Sequence, residues 1–166
     1  MKRILISMFL LFFAIHVFSQ DATSPGFSSS PGYSRAIGIK FPGGFAVSYK
    51  KFISGNNALE GLAEFASHGI RFSGLYEFHH YNITADEDLG WFVGPGAHIG
   101  VWNNAYRTQK NFNTALDIGI DGIIGLDYKF KGMPIDLSLD WHPAITLAGS
   151  TGFDAASGGI GVRYTF

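Results

Sequence analysis

Between Ala115 and Phe130 the chain alternates with a period of two. Leu116, Ile118, Ile120, Ile124, Leu126, Tyr128 and Phe130 share one face, with Gly122 as its gap. Asp117, Gly119, Asp121, Gly125, Asp127 and Lys129 share the other, where Ile123 is the exception. A helix repeats every 3.6 residues and cannot produce this pattern, so the segment is a strand. It is also longer than the roughly five or six residues of an ordinary strand. A tilted strand that crosses a bilayer needs about 9–11 residues, and more where its ends protrude.

The next segment obeys the same rule. Ile135, Leu137, Leu139, Trp141, Pro143, Ile145 and Leu147 oppose Asp136, Ser138, Asp140, His142, Ala144 and Thr146. Lys131-Gly132-Met133-Pro134 makes the turn between the two segments, which predicts a hairpin. In Ala155–Phe166, Ile160, Val162, Tyr164 and Phe166 alternate with Gly159, Gly161, Arg163 and Thr165. Noisier alternation places earlier strands near Ser34–Phe41, Gly44–Phe52, Ala58–Ser67, Ile70–Tyr81 and Gly90–Asn103. Pro42-Gly43, Ser54 to Asn57, Ser67 to Gly69 and Asn82 to Leu89 serve as turns, and Asn104 to Asn113 and Gly149 to Asp154 as longer loops. The total is eight, and an even count suits a closed antiparallel barrel.

The polar face of these strands collects most of the charge of the mature chain. Lys40, Lys50, Glu60, Glu64, Arg71, Glu77, Asp117, Asp121, Asp127, Lys129, Asp136, Asp140 and Arg163 lie on it, joined by His98 and His142. Two enclosures are open to such a sheet. A water-soluble ligand-binding barrel turns its apolar face inward. A membrane barrel turns that face to lipid and packs the charges inside.

Composition favours the second. Only 15% of residues are charged, with 22 glycines and 16 phenylalanines among 166 residues. A water-covered surface of this size ordinarily carries more charge. An eight-stranded interior is too small for the bulky apolar face, whereas a glycine-dense polar face suits a narrow, crowded lumen. Trp91, Trp141, Tyr49, Tyr128, Tyr164 and Phe166 are expected near strand ends, as an interfacial girdle.

The N-terminus carries an address. Lys2 and Arg3 precede an apolar stretch from Ile4 to Phe18, with Val17 and Ser19 at the positions a signal peptidase favours. The stretch is shorter than the roughly 20 residues of a spanning helix. We expect residues 1–19 to be a secretory signal, 20–33 a flexible Ser/Pro/Gly-rich segment, and 34–166 the barrel.

Several function classes lose support. A net charge of −1 without basic runs gives no footprint for nucleic acid. The absence of cysteine excludes thiolate metal sites and cysteine nucleophiles. Ser138, Asp140 and His142 share a face, but residues i and i+2 of a strand are roughly 7 Å apart, too far for a triad along one strand. His79 and His80 point to opposite faces and make a poor metal site. Gly94-Pro95-Gly96 lies inside a strand, where it marks a bend or close packing, not a nucleotide loop. No catalytic residue, metal or cofactor is expected.

Taken together, the signal peptide, the strand count and the terminal Gly161-Val162-Arg163-Tyr164-Thr165-Phe166 resemble the small eight-stranded outer-membrane barrels of the OmpA-transmembrane and OmpX kind. The resemblance is architectural and covers residues 34–166. It implies a closed up-and-down transmembrane β-barrel in the bacterial outer membrane, with lipid around it. It also implies that Ile160, Val162, Tyr164 and Phe166 are the signal read by the barrel-assembly machinery. The modest loops lack the protruding strands that serve adhesion in OmpX-like proteins. Enzymes on barrels of this size include lipid A deacylases, but their His-x-Ser pattern is absent. The expected role is non-enzymatic, structural or interactive, with a charge-plugged lumen; a narrow channel for ions or small solutes is the alternative, and a soluble periplasmic ligand-binding barrel the third.

Overall fold

The computed structural model describes residues 32–41, 44–81, 88–110, 114–149, 152–155 and 157–166. The expected signal peptide and residues 20–31 of the flexible segment lie outside the described residues. The strands are β1 (Arg35–Phe41), β2 (Phe45–Ser54), β3 (Asn57–Ala66), β4 (Gly69–Tyr81), β5 (Leu89–Trp102), β6 (Leu116–Lys129), β7 (Ile135–Trp141), β8 (Ala144–Ala148), β9 (Gly152–Asp154) and β10 (Gly158–Thr165). Among the described residues one short helix, α1 (Asn104–Lys110), lies between β5 and β6.

Each strand pairs antiparallel with its chain neighbour from β1 to β6, and β6 pairs with both β7 and β8. β10 pairs with β7 and with β1, closing the ring. Here β7 with β8, and β9 with β10, each act as one interrupted wall strand, so the fold is a closed eight-stranded up-and-down barrel. Following Cα partners once around the ring returns to β1 displaced by about ten residues, a stagger that tilts eight strands by roughly 40–45°.

The break between β7 and β8 falls at His142-Pro143, because proline has no N–H to give the ladder. Flanking groups keep the wall continuous. Gly122 N–H donates to the Pro143 carbonyl at 2.9 Å and His142 N–H to the Ser157 carbonyl at 3.0 Å. The expected loop Gly149–Asp154 is corrected here, since Gly152–Asp154 forms β9 against β8. The expected loop from Asn104 is also corrected: it opens as α1, whose start is capped by Asn103 Oδ1 accepting the Tyr106 N–H at 2.8 Å.

Alternation is close to strict. In β7 the exposed Ile135, Leu137, Leu139 and Trp141 alternate with buried Asp136, Ser138 and Asp140. In β2 and β10 the same rule buries Lys50 and Arg163 while Tyr49, Val162 and Tyr164 stand outside. The barrel is therefore polar within and apolar without. Trp141 is the last residue of β7, at the break in this wall strand. Its indole N–H faces outward and donates to the Ala155 carbonyl at 2.7 Å, an acceptor in the gap between β9 and β10.

Inward glycines make room for inward side chains from neighbouring strands. A Cβ on Gly125 would stand 2.6 Å from Phe92 Cζ and 2.8 Å from Asp140 Cβ. Gly119 likewise accommodates His98, Gly96 accommodates Leu75, and Gly161 lies under Ser138 Oγ.

Candidate functional site: the barrel interior

Polar side chains fill the interior in two groups. The first lies toward the end that carries both β1's start and β10's finish. Arg163 is its centre: Nη2 meets Glu60 Oε1 at 2.7 Å, Nη1 meets Asp136 Oδ1 at 2.9 Å, and Nη1 also approaches Asp127 Oδ1 at 3.5 Å. Its Nε donates to Ser48 Oγ at 3.0 Å, and Ser48 in turn donates to Glu60. Lys50 Nζ pairs with Glu77 at 2.9 Å and stands 4.4 Å above the Phe92 ring. His79 Nε2 meets the same Glu77 carboxylate at 2.8 Å. Arg163, Lys50, Glu60, Glu77, Asp127 and Asp136 are all but inaccessible to solvent. Charges so placed are tolerable only because each finds a partner.

Tyr33 folds over this end. Its ring packs edge-on against Phe52, centroids 5.3 Å apart, and its hydroxyl is buried. Burial holds the phenol well above its ordinary pKa, and the nearby Asp127 and Asp136 push the same way. Tyr33, the last residue of the expected N-terminal segment, thus packs onto β2.

The second group lies toward the opposite end. Lys40 Nζ pairs with Asp140 Oδ2 at 2.7 Å, and Arg71 Nη2 with Asp117 Oδ2 at 3.0 Å. His98 Nδ1 meets Asp121 Oδ1 at 2.6 Å, and its Nε2 lies 3.7 Å from Asp117. His142 Nε2 lies 3.6 Å from the other oxygen of Asp121. Glu64 accepts a long hydrogen bond from Ser73 Oγ, 3.5 Å. Above this group the barrel opens into a cavity of about 490 Å³.

An apolar layer stands between the groups. Leu62, Leu75, Phe92 and Ile123 form a buried apolar cluster inside the barrel. Along the chain Leu62 falls between Glu60 and Glu64, Leu75 between Arg71 and Glu77, and Ile123 between Asp121 and Asp127. Ile123, the exception in its strand's alternation, is thus one wall of an internal plug.

Of the thirteen charged residues expected inside, the structure brings Lys40, Lys50, Glu60, Arg71, Glu77, Asp117, Asp121, Asp127, Asp136, Asp140 and Arg163 into these pairings, with Glu64 half-buried beside them. Lys129 is the correction. It shares their face but sits at the rim, where its ammonium donates to the Phe130 and Met133 carbonyls at 2.9 and 2.6 Å. Sequence reasoning also missed His79 as a member. Its parity with Glu77 was the available signal, and His80 by contrast stacks outside on Trp91, centroids 4.5 Å apart. Ile160, Val162, Tyr164 and Phe166 line the outer wall at one seam, all about half-exposed.

Ser138, Asp140 and His142 do not converge: Asp140 turns to Lys40, His142 to Asp121, and Ser138 Oγ is buried without a hydrogen-bond partner. Among the described residues no group of three His, Cys, Asp or Glu side chains could hold a metal ion. No family model, no curated protein and no solved structure matches this chain.

Proposed function

We propose that this chain is a bacterial outer-membrane β-barrel, non-enzymatic, with a structural or interaction role and a lumen closed by its own side chains. One observation carries the reading: the polarity of the fold is inverted. Ile37, Leu59, Phe72, Ile99, Ile120, Leu139, Leu147 and Ile160 stand exposed while lysine, arginine and carboxylates are sealed inside. A water-soluble monomer rarely exposes a contiguous apolar surface beyond a few hundred Å², and hydrocarbon is the solvent that would favour this arrangement. A closed ring also leaves no unpaired strand edge for lipid to face. The same inversion argues against a soluble ligand-binding barrel, and the Leu62–Leu75–Phe92–Ile123 layer argues against an open channel.

The test is a gel-mobility comparison of unheated and boiled samples from the outer-membrane fraction. A closed barrel in that fraction resists SDS until boiled, so its band moves. Recovery in the soluble periplasm with unchanged migration would overturn the reading.

A further inference from the structure

The outer wall of the barrel carries almost no charge. Among the described residues, the inward positions of the strands hold every Lys, Arg, Asp and Glu except Arg35 and Lys51. Both of these are exposed, at positions that alternate with buried Ala36 on β1 and buried Lys50 on β2. The two are also direct partners across the β1–β2 ladder. Such partners hold their Cβ atoms about 4.5–5.5 Å apart, and like charges so placed repel. Among the described residues neither finds a carboxylate at ion-pair distance. Inside the barrel Lys40, Lys50, Arg71 and Arg163 are each answered by an acid. Outside it, two cations stand side by side and no acid answers them.

The surroundings of the pair are apolar and aromatic. Phe166 exchanges backbone hydrogen bonds with Arg35 at 2.8 and 2.9 Å, and Leu59 is the ladder partner of Lys51. One step along the wall, Tyr164, Ile37 and Tyr49 form an exposed row across β10, β1 and β2. Arg35 is the first residue of β1, so the cations lie toward the end of this wall and not at its middle. Tyrosines and long cationic side chains near the end of an apolar wall reach the level of lipid headgroups, with their stems along the acyl chains. An unpaired cation against hydrocarbon is costly, and a headgroup phosphate is the counter-charge available at that level. The guanidinium offers such a phosphate a two-pronged donor, and the neighbouring ammonium adds a point charge.

We propose that Arg35 and Lys51 together bind the phosphate of an anionic phospholipid, whose acyl chains lie against Ile37, Tyr49 and Tyr164. Two cations without an acid favour a lipid of net negative charge over a zwitterionic one, whose head brings a cation of its own. The inference deepens the membrane reading and rests on it.

The test is native mass spectrometry of the full mature chain, released from detergent micelles that contain equal amounts of phosphatidylglycerol and phosphatidylcholine. Phosphatidylglycerol should stay bound at least about tenfold more than phosphatidylcholine, and Arg35→Gln combined with Lys51→Gln should abolish that preference. Lys131→Gln removes an exposed cation that pairs with Asp88 at 2.9 Å, and should leave the preference intact. Heat-shifted migration reports the folding of each variant. Should the double variant fail to fold, each single variant should lower the preference about threefold. Equal retention of the two lipids, an unaltered preference in a folded variant, or an equal loss in Lys131→Gln would each overturn the proposal. Any of these with a heat-shifted band in the outer-membrane fraction would leave the membrane reading standing, whereas recovery in the soluble periplasm would remove both.

Discussion

Arg163→Met asks how much of the barrel's stability depends on its internal charges. The guanidinium is fully buried and serves Glu60, Asp136, Asp127 and Ser48 from β10. Methionine retains much of the aliphatic volume, so little of the effect comes from a cavity. What remains is electrostatic. Glu60 keeps the Ser48 hydroxyl but loses its cation at 2.7 Å, and Asp136 loses its cation at 2.9 Å. Removing one partner of a buried ion pair costs about 3–5 kcal/mol, because the other charge stays behind in low dielectric. The partners here are two close carboxylates and not one, which places the expected loss in the upper half of that range.

The assay is urea unfolding of the barrel in lipid vesicles, followed by tryptophan fluorescence and by the heat-shifted band. At a slope of roughly 2 kcal/mol/M the midpoint should fall by about 2 M. Arg163→Met combined with Glu60→Leu should recover part of the loss, since the double variant strands one fewer charge. A loss below about 1 kcal/mol for the single variant, or no recovery in the double, would refute the view that Arg163 holds the interior together.

Three further outcomes follow from the same structure. Ile124 lies outward near the middle of β6, so Ile124→Arg should cost about 2–4 kcal/mol in vesicle-refolded protein; in a barrel surrounded by water the change would stay within about 0.5 kcal/mol, and the same urea titration separates the two. Gly125→Val places branches against Phe92 and Asp140 and should destabilise by about 1–3 kcal/mol through overpacking, read as a lower urea midpoint. In a planar bilayer the wild-type chain should show no stepwise conductance, because the Leu62–Leu75–Phe92–Ile123 layer and the Arg163 group both block the path; regular steps from wild-type protein would refute the plug.

What the sequence could show and what it could not divide along a physical line. Period-two alternation is a local property, since each residue has one of two faces whatever its neighbours do, and the strand spans and the buried face of β6, β7 and β10 could be read from it residue by residue. Depth along the barrel is not local. Lys129 and Asp127 share a face, yet one reaches turn carbonyls at the rim and the other sits beside Lys50 and Arg163, a distinction set by the tilt of the strand and not by its pattern. Partnership is less local still. His98 and Asp121 are 23 residues apart and meet because β5 and β6 pair in a register that brings His98 opposite Gly119, where no side chain obstructs the imidazole. Ile123 breaks its own strand's rule for a reason supplied by β3, β4 and β5, whose Leu62, Leu75 and Phe92 need an apolar neighbour. The cap at Asn103 that starts α1 was local and readable, but a chain scanned for strands offers it as loop. The cavity at the Lys40 and Arg71 end depends on all these non-local terms at once: tilt brings Lys40, Glu64, Arg71 and Asp140 to one end, and closure of the ring makes a cavity out of residues from separate strands. Hence the wall strands and their buried face follow from alternation, while any site this barrel carries belongs to its register.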